Sequence, residues 1–137
     1  VPVLCGSVRD GLPEEPPAFL SALHELLIER EGKTLVIAAA DLAHVGPRFG
    51  DPEALEPKHL QMLEKKDRQT LELVSEGDPS GFYNAVMDSG DPRRICGLAP
   101  IFAMLQVIPG AKGKLLRYEQ ANDETGTVSY ASLGLWR

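Results

Sequence analysis

Apolar residues along the chain fall into blocks whose spacing assigns most of them to elements. Val1-Pro2-Val3-Leu4-Cys5, closed by Gly6, is short, apolar and β-branched, and predicts a buried strand. Residues 11–17, rich in Pro and Glu, predict a loop. From Pro17 to about Glu31, the residues Phe19, Leu20, Leu23, Leu26 and Leu27 recur at helical spacing. Prolines precede this amphipathic helix and Gly32 stands just past its end, the usual start and stop signals. Thr34-Leu35-Val36-Ile37-Ala38-Ala39-Ala40 then runs apolar without alternation. Such a run predicts a strand covered on both faces, the kind found inside a parallel sheet. Strand, helix and strand in this order predict a right-handed βαβ unit.

Beyond a Gly- and Pro-rich loop over residues 45–57, a mixed-charge helix is expected from Pro57 to Ser75, with Leu60, Leu63, Leu71 and Val74 inward. Asp78-Pro79 reads as an N-cap followed by proline at the first helical position, opening a short helix that carries Phe82, Val86 and Met87. Asp91-Pro92 breaks it. A buried helix is expected over Leu98–Val107, with Pro100 in its first turn and Ile101, Met104, Leu105 and Ile108 marking it as buried. Lys114–Gln120 and Thr127–Trp136 predict an antiparallel strand pair joined through residues 122–126 at the edge of the sheet. The fold class that follows is α/β: a mostly parallel sheet with flanking helices and a C-terminal antiparallel strand pair.

Composition narrows the function classes. The chain has 137 residues, 43% of them hydrophobic, enough for one domain with a real core. No apolar run approaches the ~18–20 residues of a membrane span. The net charge is −6, and the densest basic residues, Lys65, Lys66 and Arg68, are interleaved with Glu64 and Asp67. That pattern is a solvated helix face, so neither nucleic acid nor an acidic membrane surface is an expected partner. Cys5 and Cys96 are the only cysteines, which points to a reducing cytoplasm over a secreted disulfide scaffold. A bridge between them stays open at this stage. The start at Val1, inside a strand-like run, predicts a piece of a longer polypeptide.

Three residues stand out chemically. Asp41 and His44 follow the carboxyl end of the apolar run, where ligands bind in open α/β sheets. Imidazole binds metals or moves protons near neutral pH, and a nearby carboxylate fixes its tautomer. The alternative is that Asp41 caps a turn and His44 packs on the loop. Cys96 precedes the helix at Pro100, where backbone donors and the helix dipole favour a thiolate, a nucleophile or soft metal ligand. Arg93 and Arg94 beside it either depress its pKa further or face solvent. The alternative for Cys96 is a small buried hydrophobe. His24 and His59 are expected at the surface or its boundary, and Cys5 inert in a core strand. Tyr118 and Tyr130 either reach a cleft or belong to the core. No Walker loop, GxGxxG, GxSxG, HExxH or paired CxxC occurs.

Four blocks in order carry a family resemblance. Ala39-Ala40-Asp41-Leu42-Ala43-His44, followed by Gly46 and Phe49, resembles the S-S-D-x-S-H block of the Memo family, known in microbes as protein B of the AmmeMemoRadiSam system. Cys96-Gly97-Leu98-Ala99-Pro100-Ile101 is similar to its C-G-x-x-P-I element, and Val1–Gly6 to its I-P-V-L-x-G strand. Tyr118 and then Val128-Ser129-Tyr130-Ala131 resemble its closing Tyr and V-S-Y-A strand. Ala39, Ala40 and Ala43 stand where the family commonly has serines, which removes hydroxyls from the pocket's polar network.

The resemblance implies that residues 1–137 are the C-terminal segment of a single Memo-like domain whose N-terminal half is absent. It implies a fold similar to half of a class III extradiol dioxygenase. Cys96 would be a metal ligand alongside two histidines of the absent half, with Asp41 and His44 lining the same pocket as orienter and proton-handling group. Iron or copper is the implied metal, held weakly or not at all by this segment alone. The implied functions are a metal-dependent oxidoreductase, an adaptor that recognises a peptide or protein partner, or an inactive segment. The expected partners include the missing half or a second copy.

Overall fold

The computed structural model describes residues 2–3, 5–6, 8–12, 17–30 and 32–137, Ser89 without its side chain. Among these residues the helices are α1 (Ala18–Glu29), α2 (Pro57–Ser75), α3 (Pro79–Met87) and α4 (Leu98–Val107). The strands are β1 (His44–Val45), β2 (Lys112–Asp123) and β3 (Gly126–Trp136), with short 3₁₀ turns at Pro47–Phe49 and Asp88–Gly90. No helix among the described residues is long and apolar enough to cross a membrane.

The sheet corrects the first expectation. It is antiparallel throughout, in the order β1-β3-β2, and is built on the hairpin that the sequence placed at an edge. β2 and β3 pair from Lys112↔Trp136 to Asp123↔Gly126, with a bulge near Leu116. Their turn is tight because Asp123 Oδ1 accepts from the Thr125 N–H, the Gly126 N–H and the Thr125 hydroxyl. His44 and Val45 add to the free edge of β3 opposite Val128 and Thr127.

The apolar run 34–40 forms no strand. Val36, Ala38 and Ala40 rest half-buried on the core, while Leu35 is 81% and Ile37 72% exposed. A strand is defined by the ladder it joins, and this run joins none among the described residues; pairing with β3 on this edge begins only at His44 and Val45. The βαβ unit is therefore absent from the described residues. Of the other predicted strand, Val1 and Leu4 lie outside the described residues, and Pro2, Val3, Cys5 and Gly6 are exposed and unpaired as a strand. Cys5 is accordingly an exposed free thiol and not a core residue.

The helices follow the sequence more closely. α2 spans the predicted range and buries Leu63, Leu71 and Val74. The same face also buries Asp67 and Thr70, which turn towards the sheet. Asp78 caps α3 as expected, accepting from the Gly81 N–H at 2.9 Å. α2, α3 and α4 close around Phe82, Val86, Ile95, Leu98 and Leu105, all at most 2% exposed. α1 lies on α4, held in part by a His24 imidazole hydrogen bond to the Val107 carbonyl at 2.9 Å. It buries no residue fully and leaves Phe19, Leu26 and Ile28 exposed.

Candidate metal centre

The centre forms where the chain leaves the 34–40 segment and meets the loop before α4. Backbone bonds weld the two. Leu42 N–H donates to Ser129 O at 2.8 Å, and Ser129 N–H to Ala43 O at 3.0 Å. His44 N–H donates to Arg93 O at 2.8 Å, Cys96 N–H to Leu42 O at 3.3 Å and Gly97 N–H to Asp41 O at 3.0 Å. Gly97 is required here because a Cβ would lie 2.6 Å from the Asp41 carbonyl oxygen, inside any tolerable contact.

The loop from Asp91 to Cys96 is shaped by two residues with positive φ, Asp91 at 53° and Arg94 at 51°. Neither is glycine, so each conformation costs about 1 kcal/mol or more and must be held by its surroundings. Asp91 is buried, accepts from the Ile95 N–H and pairs with Arg9, which also donates to Ile95 O at 2.8 Å. Arg94 pairs with Asp51 and donates to His44 O at 2.8 Å. The Arg94 guanidinium and the Gly46 N–H hold the Asp51 carboxyl below its usual range.

These restraints bring Asp41, His44 and Cys96 together, with one ligand atom from each lying within 4.8 Å of the others. His44 Nδ1 is 3.1 Å from the Leu42 carbonyl. A carbonyl only accepts, so Nδ1 carries a proton, and Nε2 is the ring atom left to face a metal. That Nε2 faces Asp41 Oδ2 at 3.6 Å. The Phe49 ring stands edge-on to the imidazole with centroids 5.1 Å apart and limits its rotation. Cys96 Sγ donates to Asp41 Oδ1 at 3.2 Å.

Cys96 corrects a second expectation. Cys96 is exposed and not a buried hydrophobe, yet desolvation of its sulfur against the loop and the hydrogen bond to the Asp41 carboxylate push its thiol pKa up, although its place before a helix suggested a lowered one. Arg9 opposes this only weakly. Arg93 and Arg94 do not serve the sulfur: Arg93 is buried against Asp67, and Arg94 is spent on Asp51. Both cysteines are free, so the possible bridge is not made.

The remaining candidates sit elsewhere. His59 is exposed on α2, and Tyr130 is 45% exposed on β3. Tyr118 is half-buried and donates to Asp67 Oδ2 at 2.8 Å, its phenol pKa raised chiefly by burial. The buried links of Asp67 and Ser129 to the centre are not legible in the sequence, and Arg93, close to Cys96 in sequence, is turned towards Asp67. The signal for Asp67 was its position, one turn from both Leu63 and Leu71 on the apolar stripe of α2.

The donor set suits a transition metal. Thiolate and imidazole select copper, zinc or iron, whereas magnesium and calcium prefer all-oxygen sites. Tetrahedral bonds of about 2.0–2.3 Å separate ligand atoms by roughly 3.3–3.8 Å, so atoms already within 4.8 Å need only small side-chain movements.

Comparison with known proteins gives a consistent result. A family model for Memo-like protein matches residues 7–134. A MEMO1 family protein of Aquifex aeolicus is 30% identical over 112 residues, covering 78% of this chain and 28% of that protein. One of Thermus thermophilus is 31% identical over 108 residues, covering 79% and 32%. One of Caldivirga maquilingensis is 30% identical over 124 residues, covering 85% and 39%. The chain thus spans about a third of the length of the curated relatives it matches.

Proposed function

The chain belongs to the Memo family, and from that premise we propose that it supplies Cys96, His44 and Asp41 to a transition-metal centre. The observation that carries this reading is the convergence of three donors of different chemistry, from two distant segments, within 4.8 Å. Cys96 is the soft ligand, and it must shed its proton to bind. Asp41 already accepts the hydrogen bond from that thiol, so it can receive the proton or join the ligand set. His44 offers Nε2, oriented by Nδ1–H on the Leu42 carbonyl.

Iron or copper bound here would supply redox or Lewis-acid chemistry, and a metal-dependent oxidoreductase related in fold to the class III extradiol dioxygenases is the activity we favour. Three donors leave coordination positions to be filled from outside this segment, so the segment alone is expected to hold metal weakly. Metal content should be compared after parallel purification of the wild type and Cys96→Ala. The reading expects less metal in the variant, and equal content would remove Cys96 as a ligand.

A second reading concerns partners, and the 34–40 segment favours it. Leu35 and Ile37 project into solvent, and the segment rims a groove of about 350 Å³ with Leu71, Val74, Ile101 and Leu133. An apolar segment with no ladder partner among the described residues is suited to strand addition. The occupant we favour is the remainder of a Memo-length polypeptide, because the relatives are about three times as long as the region shared with this chain. This chain would then be the C-terminal segment of a single Memo-like domain, and a second copy on the groove is the competing outcome. Such a surface also fits an adaptor role.

A further inference from the structure

Asp67 is wholly buried on α2, where an unanswered carboxylate would be very costly. It is fully answered. Arg93 Nη1 donates to Oδ1 at 2.6 Å, while the Ser129 and Tyr118 hydroxyls donate to Oδ2 at 2.6 and 2.8 Å. Two of these partners lead directly to the candidate centre. The Ser129 hydroxyl gives its proton to Asp67 and so keeps its lone pairs for the Ala43 N–H, which donates to Oγ at 2.9 Å. Ser129 main-chain atoms also bracket Leu42 and Ala43, the residues between Asp41 and His44. On the other side, Arg93 accepts the His44 N–H through its own carbonyl, three residues before Cys96. The third partner, Tyr118, leads away from the centre, receiving a hydrogen bond from Gln120, which in turn reaches Leu60 O.

We infer that Asp67 is a positioning residue for the metal centre, fixing the Asp41–His44 turn through Ser129 and the Cys96 loop through Arg93. This rests on the metal reading of Asp41, His44 and Cys96. A helix-borne carboxylate that touches none of the three donors thereby braces the two segments that carry them, beside the direct bonds from Cys96 N–H to Leu42 O and Gly97 N–H to Asp41 O. Removing an outer partner of a metal site typically weakens binding about 10–100-fold.

Asp67 itself is a poor first variant, because removing it strands a buried Arg93. The test instead cuts two of its contacts separately. Ser129→Ala breaks the arm that reaches the centre, and Tyr118→Phe breaks the arm that leads away. Cobalt(II) affinity, the cobalt–thiolate charge-transfer band and thermal stability are measured on the full chain for each. The expected result is at least about a 10-fold loss of cobalt(II) affinity and a shifted band in Ser129→Ala. Tyr118→Phe should bind like the wild type whatever its stability loss, and Ser129→Thr, which keeps the hydroxyl, should recover much of the affinity. A wild-type band left unchanged by Ser129→Ala overturns the inference, as does a loss of affinity that merely tracks thermal stability in both variants. Absence of a cobalt–thiolate band in the wild type would remove the metal reading and this inference with it.

Discussion

Desolvation of the sulfur and its hydrogen bond to the Asp41 carboxylate raise the Cys96 thiol pKa, although a helix begins two residues further on. Asp41 accepts the S–H and repels the thiolate, so it stabilises the protonated sulfur. Asp41→Asn removes the repulsion and adds an amide donor, so the thiol pKa should fall. In a Cys5→Ser background, the midpoint of the alkylation pH–rate profile should move down; an unchanged or raised midpoint would show that burial alone governs the thiol. Asp51 shows the opposite sign. Its folded pKa is lowered, so its contribution is present above its unfolded value and is lost as pH falls through the folded value. The pair is partly exposed, so the effect is at most about 1 kcal/mol. In urea titrations, wild type should lose its advantage over Asp51→Asn below roughly pH 4. A stability difference that persists at lower pH would mean that Asp51 acts by packing. The sequence pointed to Asp41, His44 and Cys96 because their residue types and flanking pattern are local. The direction of the Cys96 shift was not legible, since it depends on a contact between residues 55 positions apart.

Elements defined by local signals were readable, and those defined by long-range pairing were not. α2, α3 and α4 follow from helical periodicity, the Asp78 cap and placed prolines. The hairpin was readable because its turn and both strands are contiguous. The segment 34–40 reads as a strand in the sequence and forms none, because its apolar run carries no information about which strand it would join. Its inward positions, Val36, Ala38 and Ala40, alternate with outward ones, and alternation is hidden when both sets are apolar. Those outward side chains give an element-scale prediction. Leu35→Thr with Ile37→Thr should leave thermal stability nearly unchanged while reducing self-association in sedimentation velocity. If the substitutions instead unfold the chain, 34–40 is core rather than docking surface. Asp67 is the other lesson at this scale. Its place among Lys66 and Arg68 made it look solvated, yet the period of the helix turns it inward.

The molecule as a whole is a helical cluster packed on an antiparallel sheet, with three donors gathered where the β3 edge meets the loop before α4. Family membership fixes kinship, whereas activity depends on the site. The donor set favours a soft or borderline metal. Three of the four sequence blocks that carry the resemblance hold residues that gather at the centre: Asp41 and His44 in one, Cys96 and Gly97 in the next, Ser129 in the last. What the blocks did not convey is how they are joined, because Asp67 and Arg93 lie outside them. The most direct test of the central claim is a cobalt(II) titration of the wild type beside Cys96→Ala and His44→Ala. The account predicts a saturable cobalt–thiolate charge-transfer band in the wild type, none in Cys96→Ala, and a weaker, shifted one in His44→Ala. A wild-type protein without the band, or one whose band survives loss of Cys96, would contradict it.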